Sequence, residues 1–215
     1  MALFQRRAPI VNNYKIDSMG INKTILIVGL GNVGDEYTNN RHNIGFLCAD
    51  FFVDTFDEMS KWINKPDFKA HISTGNLGDK RIIIIKPTTL MNNSGEAVAN
   101  VKNFYKIPES NIVVLHDELD INFGQIRIRN GGSSAGHNGV KSVTKHLGTE
   151  NYGRIRIGIG PKKPEQMDTA DFVLQDFNKE EKTNLKDLEK EVNALLSEHI
   201  YSNDLLREET RNFIF

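Results

Sequence analysis

Four side chains in this sequence could move a proton in a shared site: His42, His116, Asp117 and His137. A neutral imidazole takes a proton from water. A carboxylate bonded to its other ring nitrogen fixes the tautomer and stabilises the imidazolium. These residues, with several asparagines, fall on segments that follow strands or precede helices, where a sheet could bring them together. Covalent alternatives are poorly supplied. No serine stands in a Gly-x-Ser-x-Gly elbow, and Cys48 lies on the apolar stripe of a helix, where packing is its natural role. Water is the remaining nucleophile. Metal chemistry is not expected either, because no histidines have H-E-x-x-H spacing and one cysteine removes the structural zinc options.

The elements that must position these residues begin with Ile25-Leu26-Ile27-Val28, an unbroken β-favouring run that reads as a strand buried on both faces. Gly29-Leu30-Gly31-Asn32-Val33-Gly34 follows at its carboxyl end, the usual ligand side of an open α/β sheet. The spacing meets the dinucleotide fingerprint, but that motif should open a helix at once and carry an acid about 20 residues on, at the end of a second strand. Here Asp35 to Asn40 is too polar to start a buried helix, and Asp50 and Asp54 fall inside the next one, so no nucleotide cofactor is expected. That helix, from about Asn43 to Thr55, has Asn39, Asn40 or Asn43 as N-cap. The alternation around Phe68 to Ser73 and the run Ile82 to Ile85 predict a hairpin. Ser94 is the expected cap of a helix ending before Ile107-Pro108.

Ile112-Val113-Val114-Leu115 predicts a second buried strand with His116-Asp117-Glu118 at its carboxyl end. Arg127 and Arg129, then Arg154 and Arg156, alternate with isoleucines, which places each pair on one strand face. Lys141 and Lys145 share a helix face between them. From Arg127 to Lys163 there are eight Lys or Arg against one acid, Glu150, although net charge over 215 residues is only -1. The segment is a basic patch in a balanced chain. Asp171 to Leu174 has no assignable structure. Asn178 with Glu181 predicts a capping box opening a long helix striped by Leu185, Leu188, Val192, Leu195 and Ile200.

Length and 39% hydrophobic content suit one domain. The expected fold class is α/β, a single globular domain with a mixed sheet flanked by helices. Residues 1–21 read as a flexible extension, with Met19 a possible alternative start, residues 22–202 as the domain and 203–215 as a tail. No run is long enough to span a membrane, no secretory signal is evident, and a lone cysteine suits a reducing compartment.

Gly29-Leu-Gly-Asn-Val-Gly34, Arg41-His42-Asn43, Pro87-Thr-Thr-Leu-Met-Asn92, His116-Asp-Glu-Leu-Asp120, Gly136-His-Asn-Gly139 and Arg154-Ile-Arg-Ile-Gly-Ile-Gly160, in that order, resemble the motif series of bacterial-type peptidyl-tRNA hydrolases. The resemblance runs from about Thr24 to Phe177. It implies a twisted mixed sheet, no metal or cofactor, and metal-free hydrolysis of the ester between a peptide and the terminal ribose of tRNA by a cytoplasmic monomer. Carried over, His42 is the general base and Asp117 its orienting partner. Asn32, Asn92 and Asn138 position substrate, water and oxyanion. Met91 lines the peptide wall, and Tyr37 and Asn43 lie on the substrate's path. Arg127, Arg129, Lys141, Lys145, Arg154 and Arg156 are expected to meet tRNA phosphates. The small residues Ser133-Ser134-Ala135 are expected to let their loop act as a lid.

Overall fold

The computed structural model describes residues 23–161, 166–202 and 206–212. The expected extension over 1–21 with its Met19, and residues 203–205 and 213–215 of the expected tail, lie outside the described residues. The first apolar run forms β1 (Lys23–Gly29), and the next helix is α1 (Ile44–Thr55). Then come β2 (Ile63–Lys65), β3 (Ala70–Leu77), β4 (Lys80–Pro87) and α2 (Ser94–Tyr105). The second half contains β5 (Ile112–Asn122), β6 (Gln125–Asn130), α3 (Asn138–Leu147), β7 (Gly153–Gly160), α4 (Thr169–Val173), α5 (Lys179–Tyr201) and β8 (Thr210–Asn212).

The strands form one eight-stranded sheet in the order β2-β3-β4-β1-β5-β7-β6-β8. The central four, β4, β1, β5 and β7, run parallel, and the outer pairings are antiparallel, so the sheet is mixed as expected. Successive residues of a strand point to opposite faces. Ile25, Ile27, Ile82, Ile84, Val113 and Leu115 pack in one core with Phe52 of α1 and with Leu188 and Val192 of α5. Leu26, Val28, Ile83, Ile85 and Val114 pack in the other with Ala97 and Val101 of α2 and Val140 and Val143 of α3. Each such large side chain contributes about 1.5–3 kcal/mol relative to exposure. The unbroken apolar runs are thus the signature of a strand with helices on both sides. No helix among the described residues is long and apolar enough to cross a membrane.

Several local expectations change. β5 does not stop at Leu115; parallel pairing with β7 carries it through His116, Asp117 and Glu118, so these polar residues stand within the strand rather than beyond its end. Ser94 is not an accepting cap, since its hydroxyl donates to the Met91 carbonyl at 2.9 Å as one helical turn of 3-10 type runs into α2. Asn43 is the cap of α1 by position, but its amide is engaged elsewhere. The unassigned Asp171–Leu174 stretch lies largely in α4. The sheet also continues past residue 202, because β8 pairs with β6 and Leu206 is buried in the core. The capping box of α5 has both its bonds, Glu181 N to Asn178 Oδ1 at 2.9 Å and Asn178 N to Glu181 Oε2 at 2.7 Å.

Candidate active site

Close contact between backbones sets the site. A Cβ added to Gly45, in the first turn of α1, would lie 2.5 Å from the carbonyl oxygens of both Leu30 and Leu115. One at Gly29 would meet the Gly45 carbonyl at 2.5 Å. These glycines therefore let the start of α1 sink onto the carboxyl ends of β1 and β5, and the fingerprint spacing serves helix packing rather than a dinucleotide. Gly34, at φ 128°, turns the chain where an L side chain would be strained. The short helical turn Arg41–Asn43 is thereby carried onto β5, and His42 reaches Asp117 across 75 positions of sequence.

Asp117 is 3% exposed and accepts from two imidazoles. His42 Nδ1 lies 2.9 Å from Oδ1 and 3.0 Å from Oδ2, and His137 Nε2 lies 2.9 Å from Oδ1. Burial pushes the Asp117 carboxyl up, but His42 and His137 outweigh it and hold the group well below the usual carboxylate range. Burial lowers the His42 imidazolium, and the Asp117 charge and hydrogen bond more than compensate, so its pKa is raised above the ordinary 6.5. His116, beside them, donates from Nδ1 to the Asp117 carbonyl at 2.8 Å, and burial followed by His137 drives its pKa well below the ordinary value. It is a neutral buried imidazole.

With its Nδ1–H on Asp117, His42 keeps Nε2 as a lone pair on a residue that lines a cleft of about 720 Å³. Asn32, Tyr37, Met91, Asn92, Asp117 and Asn138 line the same cleft. Asn32 Oδ1 accepts from the Met91 amide at 2.8 Å, which leaves its NH2 as the free donor. Asn92 and Asn138 are exposed on the rim, before α2 and at the start of α3. Asn43 is different from the expectation. It is buried and absent from the lining, with Oδ1 accepting from Asn32 N at 2.8 Å and Nδ2 donating to Asn32 O at 2.9 Å. Its amide spans the Asn32 backbone and shapes the loop from behind the cleft.

The opposite wall comes from α4, through Thr169, Ala170, Val173 and Leu174, together with Leu90. Sequence reasoning missed this wall, since five helical residues are too few to show a period. It also missed Arg41, whose guanidinium meets Glu181 at 2.6 Å and the Asp176 carbonyl at 2.7 Å, tying the wall's far end to the turn that bears His42.

None of the six expected phosphate-contacting residues lines the cleft. Lys141 and Lys145 are exposed on α3, Arg127 is half-buried, and exposed Arg129 pairs with Glu208 at 3.2 Å. Arg156 donates from Nε and Nη2 to Glu118 Oε2, at 3.0 and 2.8 Å. Arg154 departs from the expectation. It is only 4% exposed, and its guanidinium donates to the carbonyls of Ser133, at 2.8 Å, and Gly131. Strand alternation puts it on the same face as Arg156, but the loop before α3 meets it there. It anchors the loop rather than facing a polyanion.

His42, Asp117 and His137 place ligand-type atoms within 4.8 Å of one another, a spacing a metal could use. The hydrogen bonds disfavour it. His137 Nδ1 accepts from the amides of Gly139 and Val140, at 3.1 and 3.3 Å, so the ring proton is on Nε2 and that nitrogen has no lone pair for an ion.

The chain matches the peptidyl-tRNA hydrolase family over residues 26–213. Peptidyl-tRNA hydrolase of Clostridium botulinum is 42% identical over 157 residues, 73% of this chain and 80% of that one. The peptidyl-tRNA hydrolase of Pelagibacter ubique is 44% identical over 168 residues, covering 78% and 88%. A crystal structure of peptidyl-tRNA hydrolase from Acinetobacter baumannii superposes with a TM-score of 0.71 at 34% identity, over 82% of this chain and 86% of that one.

Proposed function

This chain belongs to the peptidyl-tRNA hydrolase family and is an ester hydrolase acting on peptidyl-tRNA, and from that premise we propose that His42 activates the attacking water. The observation that carries this reading is the Asp117–His42 bond, which commits Nδ1 and leaves Nε2 basic at the cleft. Nε2 takes a proton from water as its oxygen attacks the ester carbonyl. The negative charge passes to the carbonyl oxygen, where the Asn32 NH2 and the amides of Asn92 and Asn138 are available as donors. Collapse breaks the bond to the ribose oxygen, which leaves with the proton held on His42. Peptide acid and free tRNA result, and the imidazole returns to its neutral form. Asp117 stabilises the imidazolium between these steps without itself taking a proton.

Met91, Tyr37 and the α4 wall accommodate the peptide in this reading. The phosphate surface is formed by Lys141 and Lys145 on α3 and by Arg127 and Arg129 on β6. Arg154 and Arg156 act behind that surface, one holding a loop and the other paired with Glu118. The lone buried Cys48 suits a reducing cytoplasm.

The test is release of peptide from an N-blocked aminoacyl-tRNA, with chelator present, by the wild type and His42→Ala. Release lost in a folded variant is the expected outcome. Wild-type turnover by His42→Ala would remove His42 as the base.

A further inference from the structure

We propose that Arg41 is a positioning residue that sets the α4 wall at its distance from His42, and through that wall determines how well the cleft accepts peptides with large apolar side chains. The inference rests on the reading of α4 as part of the peptide-binding wall. A helix of five residues does not hold its own shape in water, so contacts at its ends decide where α4 stands. Its carboxyl end runs into Gln175 and Asp176, whose carbonyls both turn toward Arg41. The Gln175 carbonyl accepts from the Arg41 backbone amide at 3.0 Å and from Nη1 at 3.3 Å. The Asp176 carbonyl accepts from Nη1 at 2.7 Å, and Asn40 and Asp176 form an antiparallel bridge beside them.

The other half of the guanidinium reaches α5. Nη2 donates to Glu181 Oε2 at 2.6 Å, the same oxygen that accepts the Asn178 amide in the capping box. The central carbon lies 4.5 Å from the centroid of the Phe172 ring, on α4, and 5.6 Å from that of Phe177. Both rings are in the core, and Arg41 is itself only 5% exposed. A buried ion pair is a poor source of stability, because the cost of desolvation cancels most of its attraction. A planar fork with several acceptors is a good source of geometry, because only one orientation satisfies them all. Phe172 keeps α4 on the molecule, and Arg41 fixes where its end stands along the cleft.

The sequence neighbour of Arg41 is His42, whose Nδ1 is held by Asp117. One residue thus joins the proposed base to the wall that faces it, where Ala170, Val173 and Leu174 line the cleft. Lysine cannot take this place. Its ammonium is a point donor that reaches Glu181 or the two carbonyls but not both, and it does not lie flat on Phe172.

The test compares kcat and KM for N-acetyl-diglycyl-tRNA and N-acetyl-dileucyl-tRNA, prepared on one tRNA body so that tRNA contacts are common to both. Arg41→Lys, with its fold checked by circular dichroism, should lose on the order of tenfold in kcat/KM on the dileucyl substrate, through KM, and about twofold or less on the diglycyl one. A purely structural role lowers the active fraction for both substrates alike and leaves their ratio unmoved. Equal losses, or an unchanged ratio in the folded variant, would overturn the proposal. Should Arg41→Lys not fold, Glu181→Gln keeps the guanidinium and its carbonyl bonds but removes the counter-charge. It should move the ratio the same way by about threefold, and an unmoved ratio there overturns the proposal equally. Leu174→Ala, in the wall itself, examines the parent reading. A ratio lowered by Leu174→Ala but not by Arg41→Lys removes Arg41 alone, whereas a ratio untouched by Leu174→Ala removes the wall and the proposal with it.

Discussion

Replacing Asp117 with asparagine tests the proposed catalytic pair with almost no change of shape. The carboxylate accepts from His137 at Oδ1, and from His42 at 2.9 Å through Oδ1 and 3.0 Å through Oδ2. Asparagine must keep its oxygen at the first position, because the His137 proton is locked on Nε2 by the two amides at Nδ1. Its NH2 then faces His42 Nδ1 at the Oδ2 position, donor against donor. His42 relieves the clash by moving its proton to Nε2, which consumes the lone pair that water needs. Loss of both tautomer and counter-charge costs about three to four orders of magnitude in kcat, or about 4–5.5 kcal/mol of transition-state stabilisation. The direction of the pH effect is also determined. Wild-type kcat should fall as pH drops through a His42 pKa above 6.5. Without Asp117, burial alone acts on the imidazole, so the limb of any residual activity should move below 6.5. The assay is single-turnover release from N-blocked aminoacyl-tRNA between about pH 5 and 9, with circular dichroism as the folding control. A folded Asp117→Asn with kcat within tenfold of wild type, or with its limb unmoved, would remove Asp117 as the partner of His42.

Gly45→Ala should cost about 3 kcal/mol or more and leave little soluble protein, since its Cβ meets backbone oxygens at 2.5 Å that cannot move aside; thermal melting reads this. Glu189 on α5 has its pKa pushed up to about 7 by burial, so the folded state holds its proton more tightly than the unfolded chain. That stability is present below about 4.5 and lost progressively as pH rises to about 7, and Glu189→Gln should abolish this part of the decline in melting temperature between about pH 4.5 and pH 7. Lys141→Ala and Lys145→Ala should each reduce the salt dependence of tRNA affinity by about one unit of slope, with single-turnover release at saturation unchanged. Arg154→Met should destabilise the fold by about 2 kcal/mol or more, because two loop carbonyls lose a charged donor in a buried setting, and denaturant unfolding measures it.

Features of this protein that depend on neighbouring residues were legible in the chain alone. Four-residue apolar runs mark β1, β4 and β5 because a strand covered on both faces has no polar side, and the Asn178–Glu181 cap marks α5 because its bonds span three positions. The ordered motifs pointed to the family, and with it to the activity. Short or edge elements were not legible. The strands β2 and β8 are three residues each and rely on a partner strand for their conformation, and α4 is five residues held by Phe172 in the core. Nor could spacing reveal what each polar side chain is spent on. Asn43 and Arg154 looked available to substrate and tRNA, but packing buried them against the Asn32 backbone and the Gly131–Ser133 loop. His137 stood among four candidate proton carriers, and the packing of the start of α3 beside β5 made it instead the cap of that helix and a donor to Asp117. Hydrogen-bond partners far apart in the chain are chosen by the packing of elements, and it is that packing which sets one carboxylate between two histidines.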